Sequence, residues 1–498
     1  MKKTPKPLLP SYLALYLPVL IAGPLFLAGC AITPPATQVG DQAASQWYSP
    51  LPNSSPNSSQ LPHQGSVKEL SNWWQSLGDP LLVELITSAQ AVSPSVTAAT
   101  NRIQQARSAL VAAGAAVVPN LSAATNASRG GSQLNVPVAS VGQVGLQASW
   151  EVDLWGGNRA AKDAALARLE GSQAGWHEAR VSVAAEVANT YLNLLTCEQL
   201  VSVAKDDVTS RTETSRLTDL LAKAGFTAPA NAALARASNA QSQSQLTLQR
   251  TQCDMQVKAL VALTALTEPV LRQKITRVDL ENGYTATKSL SNLNNPQILP
   301  SVPGLPAQLL AQRPDVFAAQ QEIAAASGDV GSAQAAKYPR LGLSGSVGLA
   351  TLRTGGVSTD GATWSIGPIS VTLPILDGGR SSAAVDLAKA NYEAATANYR
   401  AKVRGAVREV EEALLSVQSA ADRLQDAAIA TEGYSAAFAA SEARFKSGLG
   451  SLSDLEDTRR TALAAKTALL NLERERSAAW VALYRAVGGG WSPSAKSM

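Results

Sequence analysis

Histidine is almost missing from this 498-residue chain: His63 and His177 are the two copies, and the three cysteines, Cys30, Cys197 and Cys253, are scattered. A zinc centre draws on clustered His and Cys, so this distribution argues against one. Charged residues make up 16% and aromatics 5%, a composition that fits neither a nucleic-acid surface nor a disordered polyelectrolyte. Lys2, Lys3 and Lys6 lie in a segment expected to be removed, which takes the 42 basic residues to 39 against 38 acidic ones. A nearly neutral chain gives no reason to expect a polyanionic partner. No nucleotide-binding loop and no nucleophile constellation stands out, so the sequence reads as non-enzymatic, with no metal and no cofactor. An unbroken apolar run is missing too. The longest candidate, Leu8 to Leu27, is interrupted by Pro10, Pro18 and Pro24 and would make a poor spanning helix.

That run has another use. A basic start, an apolar stretch and small residues form a secretory signal peptide over 1–29. Its end, Leu27-Ala28-Gly29-Cys30, resembles a bacterial lipobox. The resemblance implies cleavage before Cys30, thioether lipidation of its sulfur and acylation of the new amino terminus. Two or three acyl chains anchor a protein far more firmly than one. Ala31 stands where an aspartate would signal inner-membrane retention, which favours the outer membrane. Residues 30–67, rich in Pro, Ser, Asn and Gln, read as a lipidated flexible tether without a packed core.

The rest of the chain reads as one strand-and-helix unit written twice, about 223 residues apart, over 68–285 and 307–491, with a linker at 286–306 and a tail at 492–498. Pro119-Asn120-Leu121 opens the first strand pair and Asp153-Leu154-Trp155-Gly156-Gly157 closes it; Pro339-Arg340-Leu341 and Leu376-Asp377-Gly378-Gly379-Arg380 do the same in the second copy. Val144, Leu146, Ala148, Trp150 and Val152 alternate with Gly145, Gln147, Ser149, Glu151 and Asp153, which puts one set on each face of a strand. Leu341, Leu343, Val347 and Leu349 repeat the pattern, and a change of parity between Ile366 and Ile369 predicts a bulge at Gly367-Pro368. A barrel wall and an ordinary half-buried sheet both produce this alternation. The hairpins sit at about 120–153 and 340–375, each with a Gly/Ser/Thr loop expected to run about a dozen residues.

A helix without proline follows each pair, from about Asn158 to Ala224 and from about Ser381 to Lys446, roughly 100 Å at about 1.5 Å per residue. Val183, Val187, Thr190, Leu194, Cys197 and Val201 form a seam of coiled-coil spacing. Glycine then reverses the chain at Lys223-Ala224-Gly225-Phe226 and Lys446-Ser447-Gly448-Leu449. Cys197 and Cys253 lie 28 residues before and 28 after Gly225, so an antiparallel hairpin brings them to one height; they are either a disulfide or two buried thiols.

Several ordered motifs give the chain a relative. Leu305-Pro306-Ala307-Gln308-Leu309-Leu310-Ala311-Gln312-Arg313-Pro314-Asp315 resembles the linker signature of the outer-membrane efflux proteins, the TolC-like channels. Ala333 to Pro339, Trp150 to Gly156 and the ending Ala486-Val487-Gly488-Gly489-Gly490-Trp491 are similar as well, and with a lipobox the whole resembles the lipoprotein, NodT-type branch of tripartite multidrug efflux systems. The resemblance implies a mixed α+β membrane protein. Four transmembrane strands per chain cannot close a barrel alone, since about eight is the minimum; three copies would complete a twelve-stranded barrel above a long helical periplasmic tunnel. It implies a homotrimer in the outer membrane, meeting outer-membrane lipid, a periplasmic adaptor and a proton-driven inner-membrane pump, that passively conducts drugs or other small toxic compounds outward. The alternative on the same architecture is the exit duct of a type I protein secretion system.

Residue roles follow from the same resemblance. Asp454 and Asp457, three apart on the helix after the second glycine turn, would form stacked acidic rings at an iris-like mouth; alone, they read as acids complementing a helix dipole. Arg459 and Arg460 are either cross-helix locks or ordinary surface charges. Asn231 stands where relatives carry an acid. Gly225, Phe226, Gly448 and Leu449 would dock the adaptor. Arg313-Pro314-Asp315 is expected to cap a helix and pin the linker.

Overall fold

The structure is a computed structural model that describes residues 32–40, 46–49, 73–132, 136–281 and 313–491. The signal peptide, Cys30, the 286–306 linker and the tail at 492–498 lie outside the described residues. In chain order the elements are α1 Trp73–Ser76, α2 Pro80–Val92, α3 Pro94–Ala115, β1 Asn120–Ser132, β2 Val136–Val152, α4 Gly157–Lys223, α5 Pro229–Thr264 and α6 Glu268–Glu281. They continue with α7 Pro314–Ala335, β3 Arg340–Thr354, β4 Val357–Ile366, β5 Ser370–Thr372, α8 Arg380–Lys446 and α9 Leu452–Ala486. α4 and α8 are 67 residues each. The chain divides into two compact units, and each combines segments from both sequence halves: 1–39, 104–171 and 320–398 in one, 40–103, 172–319 and 399–498 in the other.

The first unit holds an antiparallel sheet in the order β1-β2-β3-β4, with β5 also on β3. Its register aligns the apolar sets of both hairpins. Ala123 pairs with Leu146, Leu146 with Val347 and Val347 with Trp364, so one transverse row crosses all four strands. The parallel row through Ser122, Gln147, Ser346 and Ser365 lies on the opposite face. One face is therefore apolar and the other small and polar. The apolar face is uncovered: Trp364 is 75% exposed and Ile366 90%.

Between Gly345↔Ile366 and Gly342↔Ser370 one strand advances three residues and its partner four. This is the extra residue that the parity change required, and it restores Ile369 and Val371 to the apolar side. The hairpin loops differ from expectation. β3 ends at Thr354 and β4 begins at Val357, leaving Gly355 and Gly356 with φ of 58° and 90°. Two successive positive φ values make the tight turn whose twist matches the flanking strands, and the Ser and Thr residues assigned to a loop continue the ladder instead.

Below the sheet, Trp155 stacks on Tyr338 at 4.8 Å and donates to the Pro339 carbonyl at 2.8 Å, tying the close of the first strand pair to the opening of the second. Asp153 accepts from the backbone of Asn158 and Arg159, and Asp377 from that of Gly379 and Ser381, so each strand pair hands over to its long helix through an aspartate. The tether reading needs correction. In this unit Thr33 exchanges two hydrogen bonds with Gln334, and Ser327 and Tyr392 donate to the carbonyls of Pro35 and Ala36. In the other unit Trp47 is buried, while the amides of Tyr48 and Ser49 both donate to the Glu411 carboxylate at 2.8 Å. A buried indole and paired backbone groups fix the described parts of 32–49 in place, a payload that composition alone conceals.

The second unit is helical. Its core runs through Leu85, Val187, Leu194, Leu260, Leu414 and Trp480, which come from both halves of the sequence. Arg313 closes it at the start of α7. It donates to both Asp315 oxygens, to Glu409 at 2.9 Å and to the Ala486 carbonyl at 2.8 Å, with its side chain 7% exposed. Burial by itself raises the Asp315 carboxyl, but the Arg313 bonds outweigh it and hold the pKa below the ordinary carboxylate value. A depressed carboxylate contributes stability that is present above its unfolded pKa of about 3.9 and is lost as pH falls through the folded value. Asp315→Asn should therefore flatten the acid limb of the unfolding curve below about pH 4; an unchanged limb would show that Asp315 contributes nothing there.

Candidate functional site

The two helical hairpins of the second unit, α4–α5 and α8–α9, end in matching turns. Phe226 N–H donates to the Leu221 carbonyl and Gly225 N–H to that of Ala222; Leu449 and Gly448 repeat the pattern on Arg444 and Phe445. Both are the six-to-one plus five-to-two closure that places glycine in the left-handed region, with φ of 80° at Gly225 and 77° at Gly448. Each turn then presents one large apolar side chain to solvent, Phe226 and Leu449, both 81% exposed.

Beyond the second turn, Ser451 caps α9 by accepting from the Asp454 amide at 3.0 Å. Asp454 and Asp457 are both exposed and lie on one helix face. Asp457 pairs with Arg460 on its own helix. Asn231 donates to Thr227 at 2.9 Å, a local contact with no charge.

Arg459 is different. It is 2% exposed, reaches from α9 to the hydroxyls of Ser210 and Thr214 on α4 at 3.1 and 2.8 Å, pairs with Glu456, and lies 5.4 Å from the Phe438 ring on α8. Glu456 spends its other oxygen on Arg211 of α4, which also holds Asp207 at 2.9 Å, while Ser238 of α5 donates to the same Glu456 oxygen at 2.9 Å. Ser210 in turn donates to Glu442 of α8 at 3.1 Å. One half-buried charged network thus joins all four helices of the two hairpins. Burial pulls the Arg459 guanidinium below the ordinary arginine value, and its Nε has no hydrogen-bond partner among the described residues. The sequence pointed only to Arg459 among these residues. The signal for its burial was present: Leu452, Leu455, Arg459 and Ala462 recur at spacings of three and four, and all are buried.

Cys197 of α4 and Cys253 of α5 are joined, with Cα atoms 5.5 Å apart and a sequence separation of 56. The bridge staples the first hairpin. The corresponding positions around Gly448 are Ala420 and Arg476, so the second hairpin has no such link. In the chain-entropy account a loop of this length contributes about 4 kcal/mol. Cys197→Ser with Cys253→Ser should lower the thermal midpoint accordingly, and free alkylated thiols at both sites of the untreated protein would remove the effect altogether.

This geometry has counterparts among known proteins. The profile of the family described as outer membrane efflux protein matches residues 85–266 and 305–489. The chain is 30% identical over 484 residues to the pyoverdine export outer membrane protein OpmQ of Pseudomonas aeruginosa, covering 95% of this chain and 96% of that protein. It is 27% identical to the solvent efflux pump outer membrane protein SrpC of Pseudomonas putida, covering 94% and 97%. Among solved structures, the open state of the Neisseria gonorrhoeae MtrE outer membrane channel superposes with a TM-score of 0.71 at 25% identity, covering 93% of this chain and 99% of that one. The chain belongs to the outer membrane efflux protein family, a family of channel proteins, and its place is the outer membrane.

Proposed function

We propose that three copies of this chain form the outer-membrane duct of a tripartite efflux pump, passing small toxic compounds outward from a periplasmic adaptor and a proton-driven inner-membrane pump. The observation that carries the reading is the sheet. It is four strands wide, with β5 continuing β4 past the bulge, and has an uncovered apolar face and two open edges, at β1 and at β4 with β5, among the described residues. Unpaired edges in a hydrocarbon layer are not tolerated, and closure is the remedy. Twelve strands from three copies close a barrel with the apolar face toward lipid and the small polar face toward water. The long hairpins then line a periplasmic tunnel.

Asp454 and Asp457 ring its mouth in this reading, and Phe226 and Leu449 with their glycines meet the adaptor. The stapled first hairpin supports a fixed role, and the unstapled second hairpin supports the moving part of an iris. The lipid anchor belongs on Cys30. Planar-bilayer recording of the purified protein tests the duct: discrete conductance steps are expected, and a protein that yields none with both acids replaced is not a channel.

A further inference from the structure

Five strand residues are charged: Arg129, Glu151, Arg340, Arg353 and Asp360. Two of the three arginines fall in one transverse row. Arg129 pairs with Ser140, Ser140 with Arg353 and Arg353 with Ser358, so all four strands contribute and the row reads Arg-Ser-Arg-Ser. Ser140 is four residues from Val144, an even step, which puts the row on the apolar face. It also lies at the end of the sheet that carries the hairpin turns, since Arg353 is next to the last residue of β3.

The apolar band on this face runs from Val152 and Leu341 up to Val144 and Leu349. Eight residue steps span roughly 27 Å along a strand, or about 20 Å of height after tilt, which lies within the apolar band of about 25 Å of an outer-membrane barrel. The arginine row stands four residues further on, about 10 Å above the band after tilt, which is head-group depth. Between them lies a groove of about 450 Å³ whose lining includes Ala127, Arg129, Ser140, Gly142, Thr351 and Arg353. Ala127 and Gly142 leave it open. The nearest acid, Asp360, pairs with Thr351 one same-face row below, and among the described residues neither Arg129 nor Arg353 has an ion-pair partner. With strands about 4.8 Å apart, the two arginines start about 10 Å from each other, and both can reach a group seated over the Ser140 hydroxyl. A guanidinium fork matches the oxygens of a phosphate, and flanking hydroxyls add donors.

We propose that the Arg129–Ser140–Arg353–Ser358 row binds the phosphate groups of an anionic glycolipid in the outer leaflet, fixing lipid against each third of the barrel. The assignment rests on the membrane-barrel reading. The occupant follows from charge complementarity at head-group depth: the site offers cations and hydroxyls beside an apolar wall, which suits a phosphorylated lipid and not a soluble acid.

Full-length protein in nanodiscs, challenged with bis-phosphorylated lipid A or its dephosphorylated form and read by native mass spectrometry, tests it. The unmodified protein should retain the phosphorylated form about tenfold better, and Arg129→Gln with Arg353→Gln should erase that preference. Equal retention of both forms, or a preference that survives the double change, overturns the proposal. Release of the glycolipid by millimolar inorganic phosphate alone would reassign the row to free anions and overturn the lipid assignment. Conductance recorded from the same preparations separates the two claims. Steps without lipid preference remove the row alone, preference without steps removes the pore, and loss of both removes both.

Discussion

Glu456→Ala should destabilise the helical hairpins by about 3–5 kcal/mol, the range for leaving a buried charge unpaired. Among the described residues Glu456 is the only carboxylate bonded to Arg459, whose side chain is 3% exposed, and its second oxygen serves Arg211. Removing it leaves Arg211 with Asp207 but leaves Arg459 with two hydroxyls and the Phe438 ring and, among the described residues, no bonded carboxylate. Burial already depresses that guanidinium, so the desolvation cost is only partly offset even in the intact network. Glu456→Gln keeps the shape and should lose less. The loss is read as a fall in thermal midpoint together with faster proteolysis near Gly225 and Gly448; a change under about 1 kcal/mol would mean the network is ornamental.

Neutralising both acids, Asp454→Asn with Asp457→Asn, should reduce cation preference through the open duct by about tenfold. A carboxylate about 6 Å from a passing ion contributes about 0.7 kcal/mol in water, so a ring of three Asp454 carboxylates contributes about 2 kcal/mol before screening, while the Asp457 ring is largely neutralised by Arg460. Salt lowers this toward the 1.4 kcal/mol that corresponds to tenfold, and the effect should shrink further as ionic strength rises. Reversal potentials under a salt gradient check it. Because Asp457 already pairs with Arg460 while Asp454 makes no ion pair among the described residues, the Asp454 change alone should account for more than half of the loss. An unchanged reversal potential would return both residues to simple helix-start acids.

Much of the architecture was legible because it rests on periods. The two-residue alternation from Val144 to Val152 predicted a face that the register then built across four strands, and the shift of parity at Ile369 located the extra residue. Gly225 and Gly448 were legible because left-handed turns at helix ends select glycine. The hairpin loops were misjudged because Ser, Thr and Gly facing water inside a sheet look the same as a loop in sequence. The docking of Thr33 and of Tyr48 was hidden because their partners, Gln334 and Glu411, lie 301 and 363 residues away. The charged network was hidden for the same reason: Arg211 and Glu456 are 245 residues apart. Only the place of Arg459 on an apolar seam hinted that an arginine had been drawn inside.

The central claim is that this four-stranded sheet is one third of a closed barrel. Native mass spectrometry of the full-length protein released from lipid nanodiscs tests it most directly. A particle of three chains, with none of one or two, is the predicted result; an inserted monomer or dimer would contradict it.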